Sequence, residues 1–441
     1  MEQLLPQYRP VDFSTWIYLS SILTIAIYFK FNRIWSLRNL DLLALIALAP
    51  GLLLAGRPGP SQIWGYGWLF AMGGFWLVRL LMDPTMVRRP LLEPNLSSGG
   101  LTFIGVALLL FLMANVMMKP VTEADLDGPR QVRALLEGSD SPTNLESLAK
   151  HGPGYPFLHI LPSISMRPLV DAQDEGQEET SRDLADAATA RTMAIICHVA
   201  IVIAMMLIGI RHFDNIRTGI AAATLYLLLP YTAEMTGRVE HVLPAALLIW
   251  AVAAYRRPMI AGMLVGLAIG VTYYPVFLLP LWCSFYWRRG LLRFCLGTVL
   301  TLAVLVSTLA ITSGDMASFL AKTQAMFGFP SLSVAGAAGV WASESTWPYR
   351  LPVFAAFAML SLSFVFWPVQ KNLGTLLSCS SAVMLSTQFW HAQGGGLYMD
   401  WYLPLMLMTI FRPNLEDRVA LSTLGDGWWI RRRLQLRSRA A

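Results

Sequence analysis

Charge is scarce in this 441-residue chain: Asp, Glu, Lys and Arg make up only 14% of it, against about 25% in ordinary soluble domains. That shortage, with 55% apolar residues, excludes two or three soluble domains, the usual expectation for this length. Cysteine is also rare. Cys197, Cys283, Cys295 and Cys379 all lie in apolar runs, spaced as neither a metal pair nor a disulfide framework, which leaves them packing roles. No basic leader precedes the first apolar run after Asp12, so no cleavable signal peptide is predicted. GxGxxG, Walker, HExxH and GxSxG patterns are missing. So are low-complexity tracts, a short repeat and any stretch that reads as a soluble domain with its own core. The net charge of +6 is no nucleic-acid signature, because the arginines fall in short loops and near the C-terminus, where membrane topology accounts for them.

What the chain has instead is hydrophobic length. Mean hydropathy is +0.53, and a bilayer crossing needs roughly 20 mostly apolar residues. Such runs, some short, fall at 13–30, 40–56, 62–82, 100–118, 191–210, 217–233, 241–255, 258–273, 274–287, 291–312, 351–368, 372–390 and 399–412. The predicted fold is all-α and polytopic, with about thirteen transmembrane helices and one long outer loop carrying short interfacial helices. Tyr273-Tyr274-Pro275 marks the turn of the short pair 258–287, either a tight hairpin or one bent element. Basic residues follow every second run: Lys30, Arg33 and Arg38; Arg79, Arg88 and Arg89; Arg211 and Arg217; Arg256 and Arg257; Arg288, Arg289 and Arg293; Lys371; then Arg412, Arg418 and Arg431 to Arg433. By the positive-inside rule the C-terminus is cytoplasmic and the N-terminus outside, and the alternation holds only if 258–287 is two elements.

The expected organisation is a four-span region (1–118), an outer acidic loop (119–190), a helical bundle (191–412) and a basic cytoplasmic tail (413–441). The loop carries 13 acidic against 6 basic residues. A further outer loop is expected at about 313–350, with Asp315, Lys322, Glu344, Trp347 and Arg350. Trp428 and Trp429 beside Arg431 to Arg433 read as a helix lying in the inner interface.

Polar residues gather outside in four places. Glu123, Asp125 and Asp127 follow the fourth run. They are a hydrated interfacial turn or a general base held at the membrane surface, about even odds from the cost of unpaired carboxylates in lipid. Glu234, Arg238, Glu240 and His241 lie between the sixth and seventh runs; the plain reading is a surface ion-pair cluster worth about 0–1 kcal/mol. His151 to Pro162, HGPGYPFLHILP, reads as a turn followed by a short apolar helix, its histidines simply solvated. Trp390-His391, Gly394 to Gly396, Tyr398, Asp400, Trp401 and Tyr402 form either an interfacial aromatic belt or a ligand pocket at a span mouth. His198, well inside a run, reads as a satisfied packing histidine.

Several of these segments resemble GT-C-type glycosyltransferases in their order. ARTMAIICHVAIVIAMMLIGIRHFDNIRTGIAAATLYLLLP from Ala190 resembles the family's region in which an Arg opens a helix, a basic turn follows and an alanine-rich helix ends in Pro. RRPMIAGMLVGLAIGVTYYPVFLLPLWCSFYWRRG from Arg256 resembles its AGxxxGLA…P…LLP segment between basic pairs. Asp125 followed by RALLEG resembles the acidic first outer loop. GYPFLHILP from Gly154 resembles that loop's aromatic–Pro segment, and His391 to Pro404 the late motif. The resemblance covers roughly 120–410 of this sequence. The chain departs from the pattern in having four runs before the loop where one is usual, Thr272-Tyr273 where a lysine often stands, and a long acidic segment at 163–190.

The resemblance implies transfer of a sugar from a polyprenyl-phosphate, lipid-linked donor to a glycan, lipid or protein acceptor at the outer face of a bacterial inner membrane. Asp125 would be the general base and Asp127 its alternate. Arg238, Glu240, His241, His391, Arg350, Arg191, Tyr155 and Asp400 would line the substrate site. No resident cofactor is implied; a divalent metal between Asp125 or Asp127 and the phosphate is allowed but not required. The alternatives are a transporter or lipid flippase, which predicts a polar cavity near mid-membrane, and a non-catalytic scaffold, which predicts an exposed apolar patch.

Overall fold

The computed structural model describes residues 11–57, 59–86, 92–137, 151–166, 178–287, 289–311, 316–317, 319–320 and 337–415. The expected interfacial helix around Trp428, with Asp315 and Lys322, lies outside them. Among the described residues no strand forms; the sole β-type pairing is a bridge between Ala338 and Gln393. All thirteen apolar runs are helical over most of their length.

The N-terminal region holds α1 (Phe13–Tyr28), α2 (Leu37–Ile46), α3 (Leu48–Ala55), α4 (Ser61–Met82) and α5 (Ser98–Met118). The acidic segment forms α6 (Glu123–Glu137) and α7 (Gly154–Met166), and its last residues already belong to α8 (Glu178–Arg211). Then come α9 (Ile216–Leu228), α10 (Pro230–Glu234), α11 (Val239–Ala253), α12 (Pro258–Val271), α13 (Leu279–Phe285), α14 (Leu291–Ile311), α15 (Arg350–Ser363), α16 (Leu373–Thr387) and α17 (Leu403–Phe411). Residues 258–287 are two elements: α12 stops at an extended Thr272, and a 3-10 turn, Tyr274–Leu278, leads into α13.

Four stretches, Leu37–Ala55, Ser98–Met118, Arg182–Arg211 and Leu291–Ala310, are long and apolar enough to cross a membrane. Of the other apolar helices, α4 has 22 residues and the rest are shorter, several of them bounded by prolines or 3-10 turns. Side-chain caps satisfy orphan amides at several starts. Asp12 accepts from the Ser14 and Thr15 N–H groups at α1, and Asn372 with Thr375 forms a capping box at α16.

The N-terminal helices are packed into the bundle. The Tyr28 hydroxyl donates to the Ala221 carbonyl at 2.8 Å, and Arg217 donates to the carbonyls of Pro94 and Leu96. The strongest tie is ionic. Arg79 holds both oxygens of Asp41 at 2.8 and 2.9 Å and reaches Asp83 at 3.2 Å. Asp83 also accepts from Nε and Nη2 of Arg412, at 3.0 and 2.6 Å. All four residues are buried. Arg79 and Arg412, which the sequence presents as loop charges, are therefore partners in one network, since an unpaired buried guanidinium would cost several kcal/mol (roughly 3–5).

Candidate active site

Three parts of the chain meet where α5 and α12 end and α11 begins. α6 contributes Asp125. The Asp125 Oδ2 accepts from the Thr122 N–H at 3.1 Å and from its hydroxyl at 2.6 Å. Half of this carboxylate thus serves the helix start, as an acidic residue does in a capping box. Its other oxygen, Oδ1, is buried, accepts no hydrogen bond among the described residues and lies 3.7 Å from Nη1 of Arg238.

Arg238 precedes α11, whose first turn carries Glu240 and His241. The Arg238 guanidinium stands 4.0 Å from Glu240. Both separations are ion-pair rather than hydrogen-bond distances, so the guanidinium keeps donors for another acceptor. Glu240 is buried, with Nε2 of His241 and of His151 each 3.6 Å from its oxygens.

α7 closes this acidic side. The Gly152 N–H donates to the Val271 carbonyl at 3.0 Å, fastening the start of the turn to the end of α12. A side chain at Gly152 would collide with the Gly270 carbonyl, so only glycine permits that approach. Tyr155 is then stacked on His151 at 4.2 Å and lies 4.7 Å from His159. Burial, reinforced by Glu240 and Asp125, pushes the Tyr155 phenol well above its ordinary range, so it stays a donor; among the described residues its hydroxyl has no acceptor. His159 is buried, donates through Nδ1 to the Tyr155 carbonyl at 2.7 Å and is lowered to about 4 by burial.

The third part is the turn after α16. The Gln388 side chain accepts from the N–H groups of Gly396 and Tyr398, at 3.1 and 3.2 Å. Gly394 and Gly396 have φ of 68° and 99°, a region open to glycine, which is why the triple glycine stands here. The turn places Tyr398 between two histidines, 4.3 Å from His241 and 4.6 Å from His391. His391 accepts at Nδ1 from the Gln393 N–H at 3.2 Å, leaving Nε2 as its donor. Burial, with nearby Arg350 next, lowers His391 to about 3, so it is neutral at physiological pH.

Arg350, at the start of α15, completes the basic side. It is buried, donates through Nε to the Trp390 carbonyl at 2.8 Å and stacks over Trp347 at 4.7 Å. It has no carboxylate partner among the described residues, and its Nη2 makes no hydrogen bond there. A buried guanidinium so placed keeps donors for a further acceptor.

Of the residues singled out from the sequence, Asp125, Arg238, Glu240, His241 and Tyr155 fall in one cluster, and Tyr398 links it to His391 and Arg350. Asp127 is half-buried on the same helix, about 200° around the axis from Asp125. Arg191 stands apart: its guanidinium donates to the Lys119 carbonyl at 3.2 Å, at the seam of α5 and α8. Asp400 is wholly buried beside the Tyr226 hydroxyl, which in turn meets Nδ1 of His198 at 3.0 Å. It also lies beside Tyr231, whose hydroxyl is 2.7 Å from Nδ1 of His241. Thr122, His151, Tyr231 and Tyr398 are members that the sequence reading did not place in the substrate site. Among the described residues no group of three His, Cys, Asp or Glu is arranged to hold a metal.

No family model matches this chain, and neither does any curated protein or solved structure. The likeness to GT-C enzymes rests on the motifs quoted above.

Proposed function

We propose that the chain is an integral membrane glycosyltransferase of GT-C type. On this reading it moves a sugar from a polyprenyl-phosphate donor to an acceptor hydroxyl at the outer face of a bacterial inner membrane. The N-terminus and the 119–190 segment face outside, and the C-terminus is cytoplasmic. One observation supports the reading most. Asp125, Arg238, Glu240 and His241, drawn from two distant segments, meet in one cluster that Tyr398 joins to His391 and Arg350.

The chemistry follows from the two sides of that cluster. Oδ1 of Asp125 takes the proton of the acceptor hydroxyl as its oxygen bonds to the anomeric carbon. The bond from that carbon to the phosphate oxygen breaks, and the electron pair leaves on the phosphate. Arg350, with its unused Nη2, and Arg238 offset that developing charge, and His391 donates through Nε2. Tyr155 and Glu240 orient the sugar hydroxyls.

The test uses the purified protein in lipid vesicles with radiolabelled polyprenyl-phosphate hexoses and pentoses, following release of polyprenyl phosphate. Asp125→Asn should lower turnover about 10²–10⁴-fold with an unchanged melting profile. Full activity in that variant would sink the base assignment; no turnover of any donor by the native chain would sink the enzyme reading.

A further inference from the structure

At the end of the bundle opposite the cluster lies a cavity of about 500 Å³ between the C-termini of α8 and α11 and the start of α12. Among the described residues its rim carries Arg211, Arg256 and Arg257 against one carboxylate, Asp214. Its wall continues down the helices as Leu207, Trp250 and Ile260, the last 39% exposed. Arg256 is stacked on Tyr255, with its Cζ 5.7 Å from the ring centre. The side chains of Arg211 and Arg257 make no ion pair or hydrogen bond among the described residues. Among the described residues, three cations against one anion leave the mouth of this apolar furrow positive.

We infer that this cavity binds the phosphate headgroup of an anionic glycerophospholipid, with the acyl chains along the Leu207–Trp250–Ile260 wall. The inference rests on the helices crossing a bilayer, and does not need the enzyme reading. Charge complementarity selects the ligand: a phosphate ester between two or three guanidiniums gains charge-assisted hydrogen bonds, and basic pockets between transmembrane helices suit such headgroups. The apolar wall selects a lipid over a free anion, since soluble phosphate leaves that surface uncovered. A larger cavity, about 1060 Å³, near Arg289 and Lys371 is the weaker candidate. There the Lys371 ammonium already donates to the carbonyls of Val365 and Pro368, at 3.2 and 2.9 Å.

Native mass spectrometry of the full chain, released from detergent with equal amounts of palmitoyl-oleoyl phosphatidylglycerol and phosphatidylcholine, tests this. Phosphatidylglycerol adducts should exceed phosphatidylcholine adducts severalfold. Arg211→Gln and Arg257→Gln, made singly, should each lower that ratio at least threefold, while Arg289→Gln leaves it unchanged. Equal adducts, or a ratio that neither Arg211→Gln nor Arg257→Gln moves, would overturn the proposal. Displacement by millimolar inorganic phosphate as effective as by added phosphatidylglycerol would overturn it too, by marking a soluble-anion site.

Discussion

The Tyr231 hydroxyl and Nδ1 of His241 are 2.7 Å apart, and the direction of that bond is fixed by the hydroxyl's other partners. Tyr231 spends its one proton on the Leu397 carbonyl at 2.6 Å and accepts from the Met399 N–H at 2.9 Å. A hydroxyl has a single donor and two lone pairs, so Nδ1 of His241 carries hydrogen and Nε2 faces Glu240. Tyr231→Phe removes the acceptor and leaves a buried N–H unmet, a loss of about 1–3 kcal/mol. Thermal unfolding in detergent should record it, and His241→Phe in the same background should add less than it does alone, because the two share one interaction.

A sharper destabilisation is expected at the buried ionic network. Arg412→Met leaves Asp83 paired with Arg79, whereas Asp83→Ala strands Arg412 without a carboxylate and takes one partner from Arg79. Breaking a buried pair by removing one member costs roughly 3–5 kcal/mol. Asp83→Ala should therefore lower the melting temperature more than Arg412→Met, and the double variant should recover part of the loss. Equal melting of Asp83→Ala and the native chain would contradict the role assigned to the network.

Acid should loosen the site before it unfolds the whole chain. His391 and His159 are lowered to about 3 and about 4, chiefly by burial, below the ordinary histidine value near 6.5. A group with a depressed folded pKa binds more protons when unfolded. Its stabilising contribution is whole above about pH 6.5 and is lost as pH falls toward the folded values. Melting temperature measured from pH 7.5 down to 4.5 should fall, and His159→Phe should flatten part of that slope. An unaltered slope would show that His159 titrates normally.

The turn after α16 offers a steric test. A Cβ at Gly395 would run into the Gln388 carbonyl, while one at Gly394 meets only ordinary contacts but at φ 68°. Gly395→Ala should displace Tyr398 and impair both turnover and stability. Gly394→Ala should cost only the left-handed strain, roughly 1 kcal/mol. Paired melting curves and activities of the two variants check the order.

Much of this architecture was legible because apolar length is written directly in sequence. Each predicted run contains a helix, and the HGPGYPFLHILP segment folds as the turn and short helix that its glycines and prolines announce. The number of crossings is less legible, since Pro230, Pro275 and Pro404 divide or shorten several helices. Asp125, Arg238 and His241 could be found as polar residues at helix ends. Tyr398 was legible only as one of a set of aromatics beside the triple glycine, and Tyr231 not at all, because an aromatic among aromatics gives no signal until its neighbours are known. Arg79 and Arg412 misled for a related reason. A basic residue at the end of an apolar run looks like a topology marker, and only the fold shows that Asp41 and Asp83 have drawn both inside.

That network also constrains how the chain can be built. Asp41, Arg79 and Asp83 emerge from the ribosome early, whereas Arg412 arrives only after α17. The bond that ties the last helix to the first ones, Arg412 to Asp83, therefore forms only when nearly the whole polypeptide has been made. A nascent chain stopped before residue 412 lacks that tie between its two ends.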